Sequence, residues 1–253
     1  RRLDLVESED RNFRPVDMEF APDGSLYIVD WHNILIGHMQ HNARDPLRDH
    51  VHGRIYRVTY PSRPLVEPAK VAGASIVELL DNLKLPEFRT RYRSRRELRG
   101  RKPEEVLDAV TQWVARLNIE DEKYNHHLVE ALWVTWRLNR VDQNILHQVL
   151  QSKDYRAGAA AVRVLRYSSH QIETHAELLM QAAGDEHGRV RLEALVAASW
   201  LDKETGLPIV RKAGEHPLDE WMVHAYETAL AHLEGKSVKE KQDETIQTDL
   251  KGT

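Results

Sequence analysis

The hydrophobic pattern changes period near residue 65. Before it, PVDMEFA at 15–21 alternates Val16, Met18 and Phe20 with Asp17 and Glu19, the two-residue period of a half-covered strand. Pro22-Asp23-Gly24 supplies turn chemistry. SLYIVDW at 25–31 follows, so the pair predicts a tight hairpin. RIYRVTY at 54–60 predicts a third strand from its β-branched and aromatic residues. Pro61, Pro64 and Pro68 then mark a linker. From about residue 74 the period is helical, with segments predicted over 74–84, 88–100, 103–118, 125–139, 142–151, 155–168, 171–183, 187–201, 204–213 and 217–233. Pro103-Glu104-Glu105 and Asp219-Glu220 are good helix starts.

Small and apolar residues mark the inner faces, among them Ala157, Ala160, Ala161, Val164 and Leu165 in one helix. Val190, Leu192, Ala194, Leu195 and Ala198 do so in another. The stretches DYRAGAAAVRVLRYS (154–168) and EHGRVRLEALVAASW (186–200) are self-similar at an offset that suits two-helix HEAT-like repeats. His126, His127 and the tryptophans Trp113, Trp133, Trp136, Trp200 and Trp221 fall at helical spacing and read as repeat core and packing between repeats. The fold class expected is α+β, mostly α: a short β-propeller-blade segment, then an α-solenoid of HEAT-like repeats. The domain boundaries expected are 1–65 for the blade with its long loop, 66–234 for the repeats and 235–253 for a flexible tail or linker.

Three strands cannot bury two faces, and a sheet this small is marginal alone. The strands are therefore expected to belong to a larger β structure, with the chain a piece of a longer protein. Composition excludes several classes. A net charge of −4 gives no global pull toward nucleic acid. No apolar run approaches the roughly 18 residues of a membrane helix. The absence of cysteine excludes disulfides, thiolate zinc sites and a c-type haem within this stretch. The basic run RTRYRSRRELRGRK (89–102) suits a solvated helix face, or a docking face for an acidic part of the same protein, better than nucleic acid, because the total charge is negative and stacking aromatics are missing.

The candidate chemistry lies in residues 30–54, DWHNILIGHMQHNARDPLRDHVHGR, which hold five of the fourteen histidines and have no strand or helix period. A loop of roughly 20 residues inside a compact domain is usually functional or disordered; Trp31, Ile34, Leu35 and Ile36 favour an ordered one. His50 and His52 fall on one side of an extended segment. With Asp49 or Asp45 they could hold a metal through two imidazoles and a carboxylate, or tie the loop to the sheet as a polar network. Asp49, His50 and His52 are the candidate catalytic residues. Arg44, Arg48 and Arg54, with His32 and His38, are the candidate cofactor contacts, because guanidinium forks suit carboxylates and phosphates; internal Arg–Asp pairing is the competing use. Asp17 and Asp30, at a strand start and a strand end, are the candidate metal residues for calcium, with turn capping as the alternative.

FRPVDMEFAPDGSLYIVDWHN, IGHMQHNARDPLRDHVHGRIYRVTY and the following RPL resemble the last propeller segment of the large bacterial membrane-bound-dehydrogenase proteins. Those in turn are similar to soluble quinoprotein glucose/sorbosone dehydrogenases. RYRSRRELRGR, NHHLVEALW, RAGAAAVRVLR and GRVRLEALVAAS resemble the helical repeats that follow the propeller there. The resemblance spans about residues 10–234. It implies a periplasmic or extracytoplasmic parent that oxidises a sugar or polyol with pyrroloquinoline quinone (PQQ) and calcium. The implied partners are upstream propeller blades, a carbohydrate substrate and a downstream cytochrome c domain. The present stretch is expected to be inactive alone, with the helical repeats as scaffold. The rival expectation is a non-enzymatic module whose helical repeats bind a protein or glycan.

Overall fold

A computed structural model describes residues 4–34 and 44–236. The fold is mostly helical, with three strands and ten α-helices among the described residues. It divides into two compact units: Arg1–Lys70 with Pro86–Thr90, and Val71–Leu85 with Arg91–Thr253.

In the first unit β1 (Pro15–Phe20), β2 (Leu26–Asp30) and β3 (Arg54–Val58) form one antiparallel sheet in the order β1-β2-β3. The hairpin forms where expected. Gly24 sits at φ +83°, a conformation that favours glycine, and its N–H donates to Ala21 O at 2.9 Å. Asp23 accepts from the Ser25 N–H at 2.9 Å, which closes the turn. Pairing sets Met18 opposite Ile28, Phe20 opposite Leu26, and Ile28 opposite Tyr56. The central residues Leu26 and Ile28 are buried. All six residues of β1 are exposed, although Met18 and Phe20 are apolar and share the face of Leu26 and Ile28.

In the second unit the helices are α1 (Ile76–Asp81), α2 (Phe88–Arg99, entering from the first unit), α3 (Pro103–Ala115), α4 (Tyr124–Arg137) and α5 (Gln143–Leu150). They continue as α6 (Tyr155–Ser168), α7 (His175–Ala183), α8 (Gly188–Ala198), α9 (Lys203–Ala213) and α10 (Glu220–Glu234). Aspartate N-caps recur: Asp142, Asp154, Asp202 and Asp219 each accept a first-turn backbone N–H at 2.8–3.0 Å. Pro103 occupies the first turn of α3, where its missing N–H costs nothing. The α4, α6, α8 and α10 helices pack side by side, and α5, α7 and α9 connect them from the other layer. This order buries a continuous apolar seam in which Leu132, Val162, Leu165, Leu195 and Val210 are almost solvent-free. The expected inner-face residues are buried, apart from Ala160 and Leu192, which are half-covered. Close packing is also seen at Gly206 of α9, where a Cβ would lie 2.6 Å from Ala198 O of α8.

Charge is distributed unevenly. The α2, α4, α6 and α8 helices carry twelve arginines and three glutamates, with no lysine and no aspartate. Two of the glutamates are buried between guanidiniums. Glu130 accepts from Arg91 Nε at 3.0 Å and from Arg95 Nη1. Glu193 lies 2.9 Å from Arg189 Nη2 and also pairs with Arg163. Among the described residues, no helix is long and apolar enough to cross a membrane.

Candidate functional site

The candidate residues gather around the end of β2. The chain leaves the strand at Asp30, and His32 turns it at φ +53°, a left-handed conformation uncommon for any residue but glycine. Asp30 holds that turn. Its Oδ1 accepts from the N–H groups of Arg14 (2.7 Å) and His32 (2.9 Å), and its Oδ2 accepts from Arg54 Nε (2.7 Å). Burial pushes the Asp30 carboxyl up, but these hydrogen bonds outweigh it and leave the group below the usual carboxylate range. Arg54 also pairs with Asp10 and lies 5.5 Å from the Tyr56 ring centroid.

Asp49 organises the second half. Its Oδ1 accepts from Val51 N–H at 2.9 Å and His52 N–H at 3.0 Å, while its Oδ2 lies 2.9 Å from His52 Nδ1. These bonds, the Val51 amide first, hold the carboxyl far below its ordinary value. His32 Nε2 stands 3.6 Å from the same Oδ2, and the His32 and His52 rings meet edge to face at 6.3 Å. Asn33, wholly buried, donates to Asp49 O at 3.3 Å and fixes the loop from beneath. The His52 side chain is 71 % exposed, so one ring nitrogen is bound to Asp49 while the ring itself stays open to solvent. An aspartate that orients an accessible imidazole is the arrangement a general base uses.

The structure thus brings Asp49, His52 and His32 together, with Asp30 and Arg54 alongside. His50 is exposed. Arg48 lies 5.0 Å from the Trp31 ring centroid, in cation–π contact. Arg44 is exposed and precedes the tight turn in which Asp45 accepts from Leu47 N–H. His38, with Leu35 and Ile36, lies outside the described residues. Asp17 is on exposed β1 and accepts from Met18 N–H at 2.8 Å.

These placements bear on the implied cofactors. A calcium ion prefers six to eight oxygen ligands. Among the described residues, no group of three or more histidine, cysteine, aspartate or glutamate side chains is placed to hold a metal ion. The Asp30 oxygens are already occupied by two amides and a guanidinium, and Arg54 is divided between two carboxylates. Among the described residues, Asp17 and Asp30 therefore do not converge on a calcium site, and Arg54 is already engaged by Asp10 and Asp30.

The sequence reading missed a second constellation, on the helical unit. Trp136, Tyr167 and Trp200 contribute to one aromatic surface, where packing between repeats was the expectation. Trp136 does stack on Tyr167 at 5.9 Å between neighbouring helices, and Trp113 is core. Trp200, however, is 66 % exposed, and so is Trp221 at 77 %. The available signal was the recurrence of an aromatic residue at or just beyond the ends of three alternate helices, α4, α6 and α8.

Residues 143–231 match the HEAT repeats family, and residues 1–62 match a family described as a domain of unknown function (DUF7133). No curated protein and no solved structure matches the chain. The HEAT-repeat match thus covers the helices from α5 to α10, the last of them up to residue 231, and the three strands lie within the other match.

Proposed function

We propose that the chain is the C-terminal portion of a quinoprotein sugar/polyol dehydrogenase-like protein. In this reading the sheet unit completes a larger β assembly and the HEAT repeats are its scaffold. The observation that carries the chemistry is the Asp49–His52 pair at 2.9 Å, with an accessible imidazole at its outer end. In such a site Asp49 fixes the ring through Nδ1, and the other ring nitrogen takes the proton from a substrate hydroxyl as it becomes a carbonyl. His32 lines the same carboxylate and restricts where the ring can swing. The C–H hydrogen would leave with the two electrons to an acceptor of the quinone class. In this reading the residues that hold the electron acceptor are supplied by the rest of the β assembly.

The uncovered sheet face supports that placement. Val16, Met18 and Phe20 are each about 60 % exposed or more, beside an apolar cleft of about 410 Å³ that includes Leu5, Phe13 and Ile28. An open edge strand with exposed apolar residues is a pairing surface. The test is sugar-dependent reduction of an artificial electron acceptor by the longer parent protein. His52→Ala is expected to lower kcat by about 10²–10⁴-fold, the usual contribution of a general base, while His50→Ala changes it little. Equal turnover in wild type and His52→Ala would overturn the role of the pair. Turnover by the present chain alone, given quinone and sugar, would overturn the need for an external pocket.

A further inference from the structure

We infer that the exposed aromatic–arginine surface of α4, α6, α8 and α10 is a docking site for an acidic, amphipathic helical peptide segment of a partner protein. This goes beyond a scaffold role and does not depend on the sheet unit. The surface starts at Trp136, at the end of α4, which stacks on Tyr167 at an interplanar angle of 25°. Tyr167 meets Trp200 edge to face at 6.1 Å. Arg166 lies over both, 4.9 Å from the Tyr167 ring and 4.4 Å from the Trp200 ring. From Trp200 the surface continues into a cleft of about 720 Å³ between α8 and α10, walled by Leu195, Val196, Ala225 and Ala229, with His224 and His232 at its edge.

Charge complementarity selects the partner. On α4, α6 and α8, Glu130 and Glu193 are buried against other guanidiniums, Arg156 pairs with Asp154, and Arg191 is taken up by backbone carbonyls. Arg166 and Arg137 have no carboxylate partner among the described residues; Arg137 instead lies 5.6 Å from the Tyr92 ring. Arg166 Nε is buried with no hydrogen-bond acceptor. A guanidinium held against two aromatic rings is preorganised to fork a carboxylate, and Trp, Tyr and Arg are the residues that dominate protein interfaces. The apolar cleft one helix away accepts the anchoring side chains of an amphipathic helix, read at i, i+3/i+4 and i+7. A single-stranded nucleic acid fits less well. The rings already pack on one another, leaving no slot for a base between them, and beyond Trp200 and two histidines the cleft is lined by aliphatic and small side chains.

A displayed library of random peptides about 16 residues long, selected against the whole chain, tests this. Enriched sequences are expected to combine Asp or Glu with apolar residues at helical spacing. Their binding, followed by fluorescence anisotropy, is expected to weaken as salt rises and to fall at least tenfold in Trp200→Ala and Arg166→Glu. Trp200 is largely exposed, so its loss leaves helical circular dichroism unchanged, and Arg166→Lys should retain part of the affinity. Three results overturn the proposal: no acidic consensus, a consensus whose affinity both variants leave intact, or tighter binding of oligouridine or heparin fragments at these same residues.

Discussion

The two units of this chain hold themselves together in different ways. The helical unit has a long apolar seam, with dozens of nearly solvent-free Leu, Val, Ala and Ile side chains supplied by neighbouring repeats. In the described part of residues 4–70 the buried side chains are Leu26, Ile28, Ser25, Asp30 and Asn33. Three of those five are polar. The sheet unit is thus organised by hydrogen bonds around Asp30 and Asn33, with apolar residues left outside on β1. Stacked repeats bury their apolar stripes on their neighbours. A single three-stranded sheet has a second face to cover and no layer of its own to cover it.

That contrast can be broken in order of expected effect. Glu130→Ala should cost the helical unit about 3–5 kcal/mol, because Arg95 and Arg91 would then be left without the buried carboxylate they share. Urea unfolding followed at 222 nm measures it, and a loss under 1 kcal/mol would show that the guanidiniums find other partners. Asp30→Asn should cost about 1–3 kcal/mol, confined to the sheet unit, since Arg54 keeps Asp10. Faster hydrogen exchange in β2 and β3, with the helical amides unchanged, is the expected signature.

A smaller effect depends on pH. Burial holds His127 below the ordinary histidine range, with Asp121 opposing only in part, and burial does the same to His126. The unfolded chain therefore takes up these protons more readily than the folded one. Stability is complete above about pH 6.5 and declines as pH falls through and below that value. His127→Gln should flatten this decline, and an unchanged slope of melting temperature against pH would refute it. Last, Met18→Ser with Phe20→Ser should change the stability of this chain by no more than about 0.5 kcal/mol, because both side chains are already in solvent. A large destabilisation would mean that the face is covered within the chain itself.

Periodicity was legible wherever burial repeats locally. Ala157, Ala161, Val164 and Leu165 mark a helix, and Pro22-Asp23-Gly24 marks a turn, because each pattern depends on near neighbours. Asp49 and His52 are three residues apart, so their pairing needs only a bend that the Val51 amide stabilises. The partners of Asp30 and Glu130 were not legible. Arg54 lies 24 residues from Asp30, Arg95 lies 35 from Glu130, and several arginines compete for each. The exposure of Trp200 was hidden for a related reason. Spacing places it on a helical stripe, but whether the next helix reaches over that ring depends on how α10 packs, which no local pattern encodes.

The arginine-only character of α2, α4, α6 and α8 has a chemical consequence. Guanidinium stays protonated to about pH 12, and it is not a substrate for amine acylation. Acetylating enzymes and amine-directed crosslinkers will leave these four helices unmarked while tagging Lys203 and Lys212 on α9. Neutralising these helices would require chemistry directed at guanidinium groups, such as deimination or dicarbonyl adducts.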